Sequence, residues 1–283
     1  MTQIREIKRR IKSIENTSKV THAMELVSAA KMRKAQEKTV SSRPYTSALH
    51  QMIIELRPET HKNLHRLLKE NSSPNQLVIL ITSDRGFVGG LNLNLAREAI
   101  KMTNKNTKFI VVGKKALSFA VKMGADVIAG FQSEEKPFID LARTIAKMAV
   151  DAFTKAEVSG VYLIYSKFES TIKQVPTVQK LLPITLTGAE AGIETEEVPQ
   201  MLFEPSADRI IERLLPHHVL THIYQILLES KASEHSARMV AMKNATDAAS
   251  DLVDDLTLTY NQARQESITK ELLDIITAQA VFE

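Results

Sequence analysis

Three groups of residues in this chain have types and spacing that could do chemistry. The first is the stretch TSDRGFVGGLN at 82–92, a glycine-rich loop expected between a strand and a helix. Loops of that kind can cradle phosphate on backbone amides at a helix N-terminus. Its spacing is neither GxGxxG nor GxxxxGK[ST], and Gly113-Lys114-Lys115-Ala116 lacks the hydroxyl that would hold magnesium. A tight turn shaped by its glycines is the better reading. The second group is His218 and His222, four apart and able to share a helix face as some zinc ligands do. No HExxH pattern and no nearby carboxylate completes a third ligand, so packing or solvation is the simpler role. The third is the basic run containing Lys8, Arg9, Arg10, Lys12, Lys31, Arg33 and Lys34. Nucleic acid could bind such an arm electrostatically, but aromatic residues are few and tryptophan is absent. There is no cysteine, hence no thiolate nucleophile, disulfide or thiolate metal site, and no serine sits in GxSxG. These residues predict no catalytic, cofactor-binding or metal site.

The elements that must position these residues are dominated by helix. Residues 217–283 contain no glycine and no proline in 67 positions and are rich in strong helix formers. One helix of that length would run roughly 100 Å, too long to be buried in a globular domain. Residues 2–56 also read as helix, with Ile4, Ile7, Ile11 and Ile14 at coiled-coil spacing and a kink or lost hydrogen bond expected at Pro44. Between the arms, apolar segments at 77–81, 109–112, 127–128 and 161–165 alternate with helical ones at 91–102, 114–123 and 138–154. That order predicts a small α/β domain with a largely parallel sheet. Segments 173–182 and 200–203 are expected to add strands, with a poorly patterned link at 187–198. Ser206 is placed to cap a helix that Pro216 should interrupt before the long one begins.

Charge gives the arms a relation. The net +4 divides into +7 over residues 1–57, +2 over 58–206 and −5 over 207–283, so the two ends should attract. The predicted fold class is α/β: an antiparallel coiled coil of long N- and C-terminal helices carrying an inserted small α/β, Rossmann-like domain. The expected parts are 1–57, 58–206 and 207–283, and the 67-residue helix 217–283 should outreach the 55-residue helix 2–56 by 12 residues, roughly 18 Å. Ala237, Ala241, Ala245, Ala248, Leu252, Leu256, Thr259 and Ala263 form an apparent seam with a mean step near 3.7, which is not a left-handed heptad. The apolar runs are too short to cross a bilayer, the N-terminus does not read as a signal peptide, and a soluble protein is expected.

Longer signatures carry a resemblance. IKRRIKSIENTSKVTHAMELVSAAKMR at 7–33, SSRPY at 41–45, ITSDRG at 81–86, GGLN at 89–92, SEHSARMVAMKNAT at 233–246 and YNQARQESITKE at 260–271 together resemble the gamma subunits of F-type ATP synthases. The match covers both terminal arms and the entry to the central domain. The loop departs from that pattern at Gly86-Phe87-Val88-Gly89, and a chain without cysteine cannot carry the redox switch of the chloroplast form.

The resemblance implies a non-catalytic rotor stalk turning inside three alpha and three beta subunits, with the α/β domain against the epsilon subunit and the membrane c-ring. It implies no nucleic acid partner, no direct insertion into the bilayer, and a peripheral place on the cytoplasmic face of the cell membrane. By motif, Met24, Lys31, Arg33 and Lys34 would face the beta subunits, and Arg238, Arg264, Gln265 and Thr269 would lie in late coupling segments. Residues 275–282 would turn in a sleeve, and Glu204 would touch the membrane ring. Two other readings stand beside it: a nucleotide-binding α/β module with a coiled-coil oligomerisation tail, and a basic coiled-coil tether for nucleic acid.

Overall fold

A computed structural model describes residues 2–56, 65–133, 137–184 and 206–282. In order, the elements are helix α1 (Thr2–Leu56), a 3₁₀ turn (Arg66–Leu68), β1 (Gln76–Ile81), α2 (Leu91–Met102), β2 (Thr107–Val112) and α3 (Lys114–Lys122). They continue with β3 (Asp126–Phe131), α4 (Phe138–Thr154), β4 (Gly160–Phe168), β5 (Gln174–Leu182) and α5 (Ala207–Phe282). Two compact units result: Met1–Ala29 with Arg238–Glu283, and Ala30–Ala237.

The second unit holds a five-stranded sheet in the order β3-β2-β1-β4-β5. β1 pairs in parallel with β2 and with β4, β2 in parallel with β3, and β5 runs antiparallel to β4. A central parallel strand is covered on both faces, which is why β1 reads as an unbroken apolar run. Side chains alternate between the faces. Leu77, Ile79 and Ile81 share a core with Ile110, Leu163, α4 (Leu141, Ile145, Phe153), the end of α1 (Ile53, Leu56) and α5 (Leu215, Val219, Ile223). Val78 and Leu80 join Phe109, Val111 and Ile164 under Leu95 and Ala99 of α2 and Ala116 and Ala120 of α3. The third strand is longer than the two residues expected, because pairing to β2 extends it through Phe131. The expected strand at 200–203 and link at 187–198 lie outside the described residues.

One expectation about helix breaks is overturned. Pro216 does not interrupt anything: α5 is one helix from Ala207, with Pro216 inside it. Pro44 likewise sits within α1. A proline deprives the carbonyl four residues earlier of its partner. At Pro44 that carbonyl belongs to Val40, an exposed residue, where water can take the bond. Around Pro216, Leu215 and Val219 are fully buried, and apolar packing of that face favours a continuous helix beyond what local propensity would give.

The first unit corrects the seam. On α1, Ile4, Ile7, Ile11, Ile14, Ser18, Thr21, Glu25 and Ser28 are shielded at steps of alternately three and four, with Met24 and Ala29 half-buried beside them. On α5, Met242, Thr246, Ala249, Val253, Leu256, Tyr260, Ala263 and Ser267 are shielded with the same alternation, and Ala245 beside Thr246 is half-buried as well. Ala248, Leu252 and Thr259 of the expected alanine track face outward. A mean step of 3.5 winds left-handed, so the wider step read from the alanines is wrong. The alanine spacing misled because small residues occur on both the seam and the solvent face, and only burial separates them. The hydroxyls of Thr21 and Thr246 meet at 2.8 Å. An antiparallel register through that bond places Ser18 level with Ala249, Ile14 with Val253, Ile11 with Leu256, Ile7 with Tyr260 and Ile4 with Ala263.

Candidate functional site

The glycine-rich loop builds internal structure. The Ser83 N–H donates to Asn92 Oδ1 at 3.2 Å, and Asn92 Nδ2 donates to Ser83 Oγ at 2.8 Å, which closes the loop onto the first turn of α2. The carboxylate of Asp84 accepts the Lys114 N–H at 3.1 Å and the Ser133 N–H at 3.0 Å. It therefore occupies the positive N-terminus of α3, where a ligand anion would otherwise be favoured. Gly113 has φ +99°, and a Cβ there would lie 2.4 Å from the Thr82 carbonyl oxygen, so glycine is required for this close approach.

In open α/β sheets, ligands bind beyond the carboxyl ends of the strands where the strand order reverses, here between β1 and β4. Side chains of α5 take up this region. Glu229 accepts the Phe168 N–H at 3.2 Å, and Ser233 Oγ donates to the Ser166 carbonyl at 2.8 Å. Ser236 Oγ donates to the Thr171 carbonyl at 2.6 Å and accepts from Gln174 Nε2 at 3.4 Å. The Lys231 ammonium reaches Ser133 Oγ at 3.3 Å and pairs with Glu234 at 3.0 Å. Ser133 in turn donates its hydroxyl to Asp84. Burial raises the Glu229 carboxyl above its usual range, outweighing the Phe168 hydrogen bond and the charges of Lys167 and Arg43. The same burial, with Glu229 alongside, raises the Tyr165 phenol.

His218 and His222 pack inward, and they meet a third imidazole that spacing did not reveal. The His50 and His218 rings are 5.7 Å apart and those of His218 and His222 5.9 Å, joining α1 to α5 within the second unit. Burial pushes both His218 and His222 down to about 4. His222, His50 and His217 add to the effect at His218, and His50 adds to it at His222. Among the described residues no group of three His, Asp or Glu side chains is placed to hold a metal ion. Beside the cluster, Tyr45 Oη lies 2.6 Å from His217 Nε2, and the Ser42 hydroxyl donates to Gln225.

Of the residues singled out by motif, Lys31, Arg33 and Lys34 are exposed on α1 and Met24 is half-buried. Arg264, Gln265 and Thr269 are exposed on α5, and Gln265 and Thr269 line a shallow groove with Glu266 and Lys270. Arg238 is buried at 7% exposure. Glu204 lies outside the described residues. Contacts between α1 and α5 include the hydroxyl and amide pairs Thr21–Thr246 and Ser42–Gln225, while described ion pairs such as Arg10–Glu6 join neighbours on one helix. Motif reading missed Glu229, Lys231, Ser233 and Ser236 as a set. Their only signal is a cluster of small polar side chains in a helix interior, where serine is otherwise disfavoured.

The profile of the family described as ATP synthase matches residues 3–281. The ATP synthase gamma chain of Opitutus terrae is 38% identical over 99% of this chain and 98% of its own length. That of Verminephrobacter eiseniae is 40% identical over 98% and 97%.

The chain belongs to the ATP synthase gamma chain family.

Membership makes it a central-stalk subunit of an F-type ATP synthase. Solved structures agree in fold with this gamma-chain architecture. The rotor of the Euglena gracilis mitochondrial ATP synthase matches 94% of this chain and 99% of its own at 19% identity and a TM-score of 0.67. A central stalk and c-ring structure from Tetrahymena thermophila matches 80% and 99% at 23% identity and a TM-score of 0.62. As part of an ATP synthase, this gamma-family chain is peripheral to the membrane, and no helix among its described residues is long and apolar enough to cross one.

Proposed function

We propose that this chain is the rotor shaft that couples proton-driven rotation of the membrane c-ring to conformational change at catalytic sites on beta subunits. The likeness to gamma chains over nearly the whole length carries the reading. Its partners are three alpha and three beta subunits, the epsilon subunit and the c-ring, at the cytoplasmic face of the cell membrane. In functional terms 1–57 and 207–283 are the arms and 58–206 the insert. The chain itself performs no catalysis.

The mechanism is mechanical. A pair of unlike helices has no three-fold symmetry, so three otherwise equivalent subunits around it meet different faces and are biased toward different states. The bias available equals the difference in contact free energy between those faces. The exposed Lys31, Arg33 and Lys34 and the half-buried Met24 supply charge and apolar contact toward the beta subunits, and Arg264, Gln265 and Thr269 do so later on α5. Arg238, being buried, acts from inside. Glu204 is assigned to the ring by its motif alone.

The test is reconstitution with alpha, beta and epsilon subunits and the membrane sector that holds the c-ring. The wild-type chain should yield a rotating ATPase, and Met24→Lys should lower proton pumping per ATP hydrolysed by adding a charge at a partly shielded contact. Normal pumping and ATP yield in that variant would remove Met24 from the contact. Calorimetry with ATP and ADP on the isolated chain should show no tight stoichiometric binding, and finding it would favour the nucleotide-binding alternative.

A further inference from the structure

The bonds that α5 makes to the sheet have a geometry that packing alone does not require. At about 100° per residue on a regular helix, Glu229, Ser233 and Ser236 fall within roughly 60° of one another. They bond the β4–β5 hairpin at Phe168, Ser166, Thr171 and Gln174. Lys231 and Glu234 point to roughly the opposite side, where Lys231 bonds Ser133 beyond the end of β3, and Ser133 bonds Asp84 beyond the end of β1. The helix is thus held on two opposing sides within two turns. Ser233 and Ser236 are fully buried, and the Lys231 and Glu234 side chains are 12% and 6% exposed.

Stability gives little reason for this arrangement. Buried ion pairs contribute little net free energy compared with apolar packing of the same volume, and apolar burial already surrounds these residues at Ile226, Leu227, Leu228 and Ala232. Apolar contacts are non-directional and let a cylinder turn in its sleeve. Hydrogen bonds weaken steeply away from their preferred angles, so a pair of them on opposite sides opposes rotation about the helix axis.

We propose that Glu229, Lys231, Ser233 and Ser236 are the torque joint of the stalk, positioning residues that lock α5 against turning about its own axis inside the sheet domain. The proposal rests on the rotor reading. Torque that enters through the sheet domain passes to the shaft through these bonds, and their loss lets the shaft slip or twist while the apolar core stays packed.

The experiment uses the assembled ATP synthase carrying S233A/S236A, K231M or all three changes. Torsional stiffness is read by single-molecule rotation, and coupling by proton-driven ATP synthesis against ATP hydrolysis. Each set should lower stiffness and coupling by about twofold or more, with the triple variant worse, since each removes a directional contact between α5 and the sheet domain. The control is Thr221→Val, which removes a buried hydroxyl whose bond, to the His217 carbonyl at 2.9 Å, stays within the helix; it should leave both readouts unchanged. If K231M fails to fold, S233A/S236A against T221V decides the matter. Wild-type stiffness and coupling in the folded joint variants would overturn the joint alone. Failure of the wild-type chain to assemble with alpha and beta subunits would overturn the rotor reading and the joint with it.

Discussion

At the scale of single residues, burial decides what a side chain does. His218 and His222 have the spacing of ligands, yet packing against His50 makes them neutral apolar-like fillers. Their depressed values have a consequence for stability. Between about 4 and the ordinary 6.5, the unfolded chain binds protons that the folded chain refuses, so stability is full above 6.5 and is lost as pH falls toward 4. A displacement of that size corresponds to on the order of 3 kcal/mol per imidazole. Thermal melting of the isolated chain should therefore weaken from pH 7 to pH 4, and His222→Leu should flatten that slope; an equally steep slope in the variant would place the titration elsewhere. Gly113 offers a second case. Gly113→Ala would drive a methyl into the Thr82 carbonyl at an already left-handed φ, and should cost about 2 kcal/mol or more in denaturant titrations.

At the scale of elements, the same amino acid means different things on the two sides of a helix. Ala248 and Ala249 are adjacent, but Ala249 is 9% exposed on the seam while Ala248 faces outward. Ala249→Leu should therefore cost about 1–3 kcal/mol through overpacking, and Ala248→Leu should stay within about 0.5 kcal/mol. Circular dichroism melts of the two variants compare them directly. Equal effects would undo the heptad seam and restore the wider alanine spacing. The isoleucines of α1 were legible because they stand alone among polar residues. The seam of α5 was not, because its alanines, leucines and threonines recur on every face and the period becomes visible only once a partner covers one of them.

At the scale of the whole molecule, the two arms differ in length and so leave part of α5 without an α1 counterpart. With Ile4 level with Ala263, residues beyond 267 extend past the start of α1, and Leu272, Leu273, Ile275 and Ile276 are 54–62% exposed. A run of exposed apolar side chains marks a surface that is covered in an assembly. The isolated chain should self-associate through it, and replacing Leu272 and Ile276 with Glu should leave a monomer in sedimentation experiments. Undiminished association after that change would point to another face. Within the assembled synthase the same surface meets partner subunits under the proposed function.

The sequence by itself determined the order of elements, the two helical arms, the parallel core of the sheet and the family. These follow from local periodicity, from the absence of glycine and proline over long stretches, and from motifs whose residues are contiguous. The tertiary structure alone decided which face of α5 is the seam, that Pro216 lies inside a helix, that His50 joins His218 and His222, and that Glu229, Lys231, Ser233 and Ser236 clasp the sheet domain. Each of these depends on what lies opposite a residue across dozens to hundreds of positions of chain. Burial and direction of bonding are properties of pairs, and a linear pattern records only one member of each pair.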